Sequence, residues 1–249
     1  MARYKVILVY DGTHFFGFQR QAEELKTRTV QAEVEKALRK LGWQDRSILA
    51  AGRTDTGVHA SGQVIAFDLE WKHAAENLLA ALNANLPPDV SAKAVSKTVP
   101  DFHPRFDAIS RKYQYHIFCH PVRNPLRERY AWRIWPDVVT TNLQKAANQV
   151  IGGHDFRAFG SPSKPGGTTT RNVFKSRWRT KHEDLVYEIE ANAFLYHMVR
   201  RLVRIQVAIG QKLVDAETFE DAIQGRKQTE ILGLAPPQGL FLVEVVYPE

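Results

Sequence analysis

A single cysteine, Cys119, is all the thiol this chain has. It therefore forms no internal disulfide and offers no cysteine cluster for zinc, which fits a reducing compartment. No stretch approaches the roughly 20 apolar residues that cross a bilayer. The apolar run VILVY at residues 6–10 is broken by Asp11 and lacks a small-residue cleavage site. Neither secretion nor membrane insertion is expected, and the cytoplasm is the expected location. Acidic residues are in the minority: 27 Asp and Glu face 34 Lys and Arg, a net charge of +7. That surplus favours a polyanionic partner over an acidic metabolite.

What is present is enough for a sizeable core. The chain has 249 residues, 44% of them hydrophobic, so one large domain or two small ones can form. RYKVILVY predicts a buried strand stopped at Asp11-Gly12. TVQAEVEKALRKLG places Val30, Val34, Leu38 and Leu41 on one helical face, with Thr29 to cap it and Gly42 to end it. SILA predicts a short strand, and QVIAFDLE another, in which Ile65, Phe67 and Leu69 alternate with polar or smaller neighbours. HAAENLLAALNANL predicts a helix stopped by Pro87-Pro88.

A second series starts near Ser110. RKYQYHIF alternates Tyr113, Tyr115 and Ile117 with Lys112, Gln114 and His116, and NLQKAANQVIGG predicts a helix ended by Gly152-Gly153. After a loop rich in Ser, Pro, Gly and Thr at 160–170, NVFKSRWRT and LVYEIEAN predict a hairpin turning at His182 to Asp184. A helix from about Leu195 to Leu213, a short one around 218–224 and a closing strand GLFLVEVVYP complete the pattern. With hairpins in place of a uniform βαβ rhythm, the expected class is α+β with largely antiparallel sheet. No repeat is visible in the sequence. The boundary is expected near 100–108, giving an N-terminal half at 1–105 and a C-terminal half at 106–249.

The stretch AGRTDTGVHASGQ, residues 51–63, concentrates Arg53, Asp55 and His59 among three glycines. A phosphate cradle would close on Lys-Ser or Lys-Thr and feed a helix, but here Gly57 is followed by Val-His. A metal site needs several converging ligands, and His103, His154 and His197 lie in scattered segments. A third reading makes Asp55 a carboxylate nucleophile or base, kept ionised by a neighbouring guanidinium. A fourth makes it a turn residue bonding its own backbone.

GRTDTGVHASGQV resembles the active-site motif of the tRNA pseudouridine synthase A family, in which the aspartate is catalytic. YDGTHFFGFQ at 10–19, FHPRFDAISRKYQYHI at 102–117, HDFRAF, FLYHMVR and GLFLVEVVYP follow in the family's order, so the resemblance spans the chain. Two departures stand out. Phe18 replaces the usual tryptophan, and Arg204 stands where a glycine is usual, adding bulk and charge to the helix that carries Arg200.

The resemblance implies conversion of uridine to pseudouridine in tRNA, at anticodon stem-loop positions 38 to 40. It implies a pseudouridine synthase fold of two similar halves around a central active-site cleft, a homodimer and no cofactor or metal. Asp55 is then the catalytic residue, with Arg53 and Arg200 as supports. Tyr113 matches the tyrosine that stacks on the extruded base. Arg200, Arg201 and Arg204 share a sector of their helix, away from Leu195, Val199, Leu202, Ile205 and Ile209, which suits phosphate binding as well as a solvated face. Detaching a base and rejoining it through carbon needs one placed nucleophile instead of the carboxylate pair of a glycoside hydrolase. The glycines are expected to let the backbone bring Asp55 close to its substrate, and His59 is expected to be structural. Two rivals are an RNA-binding module without catalysis and a metal-dependent hydrolase using Asp55 and His59.

Overall fold

The computed structural model describes residues 1–21, 27–225 and 233–248. The chain forms two compact units, Met1–Ile109 together with the segment from Phe241 onward, and Ser110–Leu240. Its class is α+β. The first unit contains β1 (Ala2–Tyr10), α1 (Val30–Lys40), β2 (Leu49–Ala50), β3 (His59–Leu69), α2 (Ala75–Asn85) and β4 (Val90–Lys97). The second contains β5 (Ser110–Cys119), β6 (Trp132–Ile134), α3 (Thr140–Gln149), β7 (Gly152–Asp155), β8 (Thr170–Lys181), β9 (Asp184–Ala191), α4 (Met198–Gly210) and α5 (Ala216–Ile223). The last strand, β10 (Leu240–Val246), has all but its first residue in the first unit.

In the first unit, β1 pairs antiparallel with β3 on one side and β4 on the other. The far edge of β3 is shared. β2 pairs antiparallel at Ile65 and Ala66, while β10 runs parallel beside His59 and Ala60. The expected alternation in QVIAFDLE is absent because Val64 and Ala66 are as buried as Ile65 and Phe67. A central strand covered on both faces does not advertise a period of two. It also starts at His59, so the connection carrying Asp55 is shorter than the sequence suggests.

Thr29 caps α1, its hydroxyl accepting from the Ala32 amide at 3.4 Å. Val30, Val34 and Leu38 are buried as expected, and so are Gln31 and Glu35. The Glu35 carboxylate accepts from the Gln31 amide at 2.8 Å and from the Ile48 backbone, and pairs with Arg20 at 3.0 Å, so the buried charge is both paired and hydrogen-bonded. β4 is absent from the sequence reading. In VSAKAVSK only Val90 and Ala92 are buried, too weak a signal for an edge strand.

In the second unit the antiparallel order is β5, β9, β8, β7, with β6 parallel to β5. The β8–β9 hairpin turns through His182, at φ +56°, between Lys181 and Asp184. α3 stops at Gln149, and the two glycines expected to end it begin β7 instead. α4 starts at Met198, later than Leu195, because His197 takes φ +66° and Tyr196 is tied by its amide to the Ser161 carbonyl at 2.9 Å. Every residue of α4 is buried except Arg200, Arg201 and Arg204.

Candidate active site

The Asp55 connection, residues 51–58, is anchored at its start, middle and end. At its start the Ala51 amide donates to the Val64 carbonyl at 2.9 Å, and the buried side chain of Gln63 donates to the Gly52 carbonyl at 2.9 Å. In the middle the Phe18 amide donates to the Thr54 carbonyl at 3.0 Å, and the Thr54 hydroxyl lies 2.8 Å from that of Tyr10. At its end the Val58 amide closes a turn on the Asp55 carbonyl at 3.1 Å, and the Gly57 amide donates to the Phe15 carbonyl at 3.3 Å. Asp55 is half-buried at this turn and Arg53 is exposed.

Two of the three glycines, Gly57 and Gly62, are required by the protein's own backbone. Gly57 takes φ +77°, a left-handed turn that favours glycine. A Cβ on Gly62 would lie 2.2 Å from the Val243 carbonyl oxygen of β10, and one on Gly12 would lie 2.1 Å from that of Val58. Among the described residues nothing crowds Gly52.

His59 opens β3 with 1% exposure. The Gly12 amide lies 3.0 Å from its Nδ1 and donates to it. The Asp11 carboxylate lies 3.2 Å from the same atom. The imidazole also stacks on Phe241 at 4.7 Å. These contacts give His59 a structural role, joining the turn after β1 to β10. Among the described residues no group of three His, Cys, Asp or Glu side chains is arranged to hold a metal ion, and no helix is long and apolar enough to cross a membrane.

The residues that lock this connection from YDGTHFFGFQ were missed as functional supports by the sequence reading. Tyr10, Phe15, Gly17 and Phe18 form its backing, and Phe15 and Phe18 are buried. Their signal was the motif itself, whose aromatic and glycine spacing has no helical or strand period and so looks idle until its partner is seen.

The other predicted residues lie in the second unit. Tyr113 is half-buried on β5, opposite Ile189 of β9, with its ring edge-on to Phe194 at 5.0 Å. Two residues on, Tyr115 is fully buried and donates to the Pro236 carbonyl at 2.7 Å. Burial pushes its phenol well above the usual range, against the opposing charges of Arg200 and Arg204. The Arg200 guanidinium donates to the Ala235 carbonyl at 2.8 Å, and Arg204 lies over the Trp132 ring at 5.5 Å. All three arginines are half-buried. The place of Arg204, usually a glycine in the family pattern, is thus filled by a cation resting on an aromatic face.

The family model described as tRNA pseudouridine synthase matches residues 6–107 and 146–248. The tRNA pseudouridine synthase A of Thermotoga petrophila is 36% identical over 249 residues, spanning 99% of this chain and all of that protein. That of Lysinibacillus sphaericus is 37% identical over 254 residues, with 99% and 100% covered. That of Listeria monocytogenes is 37% identical over 250 residues, with the same coverage.

Proposed function

Because the chain belongs to the tRNA pseudouridine synthase family, and is thereby an isomerase of tRNA uridine, we propose that it acts at positions 38, 39 and 40 of the anticodon stem-loop with Asp55 as its catalytic group. In this reaction the bond from C1′ to N1 breaks and one from C1′ to C5 forms. The C5 proton leaves and N1 gains one, with no net hydrolysis. Asp55 attacks C1′ or C6, or removes a ribose proton; each route needs an ionised carboxylate held in place. Arg53 and Arg200 support that charge, Tyr113 stacks on the extruded base, and Arg201 and Arg204 bind phosphate. Homodimerisation and a cytoplasmic location belong to the same proposal and rest on the family likeness. Sedimentation equilibrium tests the first.

The observation that carries the assignment is the anchoring of residues 51–58 at both ends and the middle. Placement errors of about 1 Å can cost on the order of 10² in rate, and a surface turn of no consequence needs no such bracing. The test is tritium release from tRNA labelled at uridine C5. Asp55→Asn should abolish release while tRNA affinity stays within a few-fold of the parent. Release at the parent's rate by Asp55→Asn overturns the assignment, and loss of activity on chelation favours the hydrolase reading.

A further inference from the structure

The strip Phe15–Phe18 lies between two other stretches of backbone. On one side it bonds to the Asp55 connection through Thr54 and Gly57. On the other, the Phe16 amide donates to the Arg28 carbonyl at 2.9 Å, the Val30 amide to Gly17 at 3.3 Å and the Gln31 amide to Phe18 at 2.9 Å. Whatever fixes residues 28–31 therefore fixes the Asp55 connection through one intervening strip.

Arg28 is itself clamped. Its two terminal nitrogens donate to the two oxygens of Asp89 at 2.6 and 2.8 Å, and its guanidinium carbon lies over the Phe15 ring, 4.2 Å from the centroid. Asp89 is held in turn. Its carbonyl accepts from the Asp11 amide at 3.0 Å, just past the end of β1, and Pro87-Pro88 restrict the backbone that delivers it. The Arg28 side chain is 35% exposed, and pairs so placed contribute little to stability. A bidentate fork whose carbon sits over a ring is, however, a directional constraint that lysine does not reproduce.

We propose that Arg28 and Asp89 are positioning residues, a clamp that sets the Asp55 carboxylate through Phe15 and the hydrogen bond from Gly57. The proposal rests on the reading of Asp55 as the catalytic group. Neither residue touches the substrate; both act on the rate by holding the connection still.

Arg28→Lys keeps the charge and loses the fork and the guanidinium over Phe15, and Asp89→Asn loses the anion. The readouts are single-turnover pseudouridine formation, tRNA Kd, Tm and hydrogen exchange at the Gly57 amide. Both variants should lower the single-turnover rate about tenfold to a hundredfold, with Kd within threefold and Tm close to the parent. The Gly57 amide should exchange faster, and the double variant should be no slower than the worse single one. Parental exchange at Gly57 overturns the clamp, even with a lowered rate or Tm, because the loss then follows another route. Faster exchange with a parental rate overturns its positioning role. Asp55→Asn, assayed alone, tests the underlying reading: an active Asn variant defeats that reading whatever the clamp variants do to Gly57.

Discussion

The phenolic oxygen of Tyr10 lies 2.8 Å from the hydroxyl of Thr54, so the end of β1 is joined to the residue just before Asp55. Both side chains are buried. Tyr10→Phe deprives the Thr54 hydroxyl of this bond, at an expected cost of about 1–2 kcal/mol, and loosens the connection, so turnover should fall beyond what lost stability explains. Tyr4→Phe is the control: the buried Tyr4 hydroxyl has no hydrogen-bond partner among the described residues, and its removal should be neutral or stabilising. Urea unfolding and tritium release on the two variants check this. Equal behaviour would refute it.

Tyr113→Phe should keep the ring face and most activity, whereas Tyr113→Leu should lose stacking worth about 1–3 kcal/mol. Its edge-on packing against Phe194 survives the first change and not the second. The measurement is kcat/KM on an anticodon stem-loop. If Phe is as inactive as Leu, the hydroxyl takes part in the chemistry.

Binding of tRNA should weaken steeply with salt, and Arg201→Ala should flatten the slope of log affinity against log salt by about one unit for each phosphate the side chain neutralises in the parent. Arg201 is the arginine to test because Arg200 also donates to Ala235 and Arg204 covers Trp132, so their removal disturbs the fold too. An unchanged slope assigns Arg201 to the solvated face.

Tyr187 makes stability depend on alkaline pH. Burial pushes its phenol up to about 12, against the hydrogen bonds it makes, including one with Ser176. The folded state thus holds the proton above the ordinary value near 10, so the stabilisation is intact below pH 10 and lost as pH rises from 10 towards 12. Between pH 9 and 11 the parent should lose about 1 kcal/mol more than Tyr187→Phe, measured by urea unfolding. Equal losses would remove Tyr187 from the account.

Much of this molecule was legible where one residue type carries one physical job. Thr29 as a cap, the stop at Asp11-Gly12 and the turn at His182 are local effects, and each appears as expected. β4 was invisible because an edge strand with two buried residues has no pattern to read. α4 was placed three residues early because a histidine at positive φ cannot be foreseen from composition. The Asp55 connection could be found by its resemblance to a family motif. Its bracing could not, since Tyr10 and Gln63 reach it from β1 and β3, Phe15 from the strip after β1, and Arg28 through yet another segment.

The parallel pairing of β10 with the start of β3 sets an order in time. His59, four residues past Asp55, meets Phe241 as its strand neighbour, about 180 residues later in the chain. At synthesis rates of about 5–20 residues per second, that partner arrives roughly 10–40 s after His59 leaves the ribosome. Until then that end of β3 is an open sheet edge, the kind of surface on which nascent chains pair wrongly. The sheet of the first unit is thus closed at that edge only after the whole of the second unit has been made.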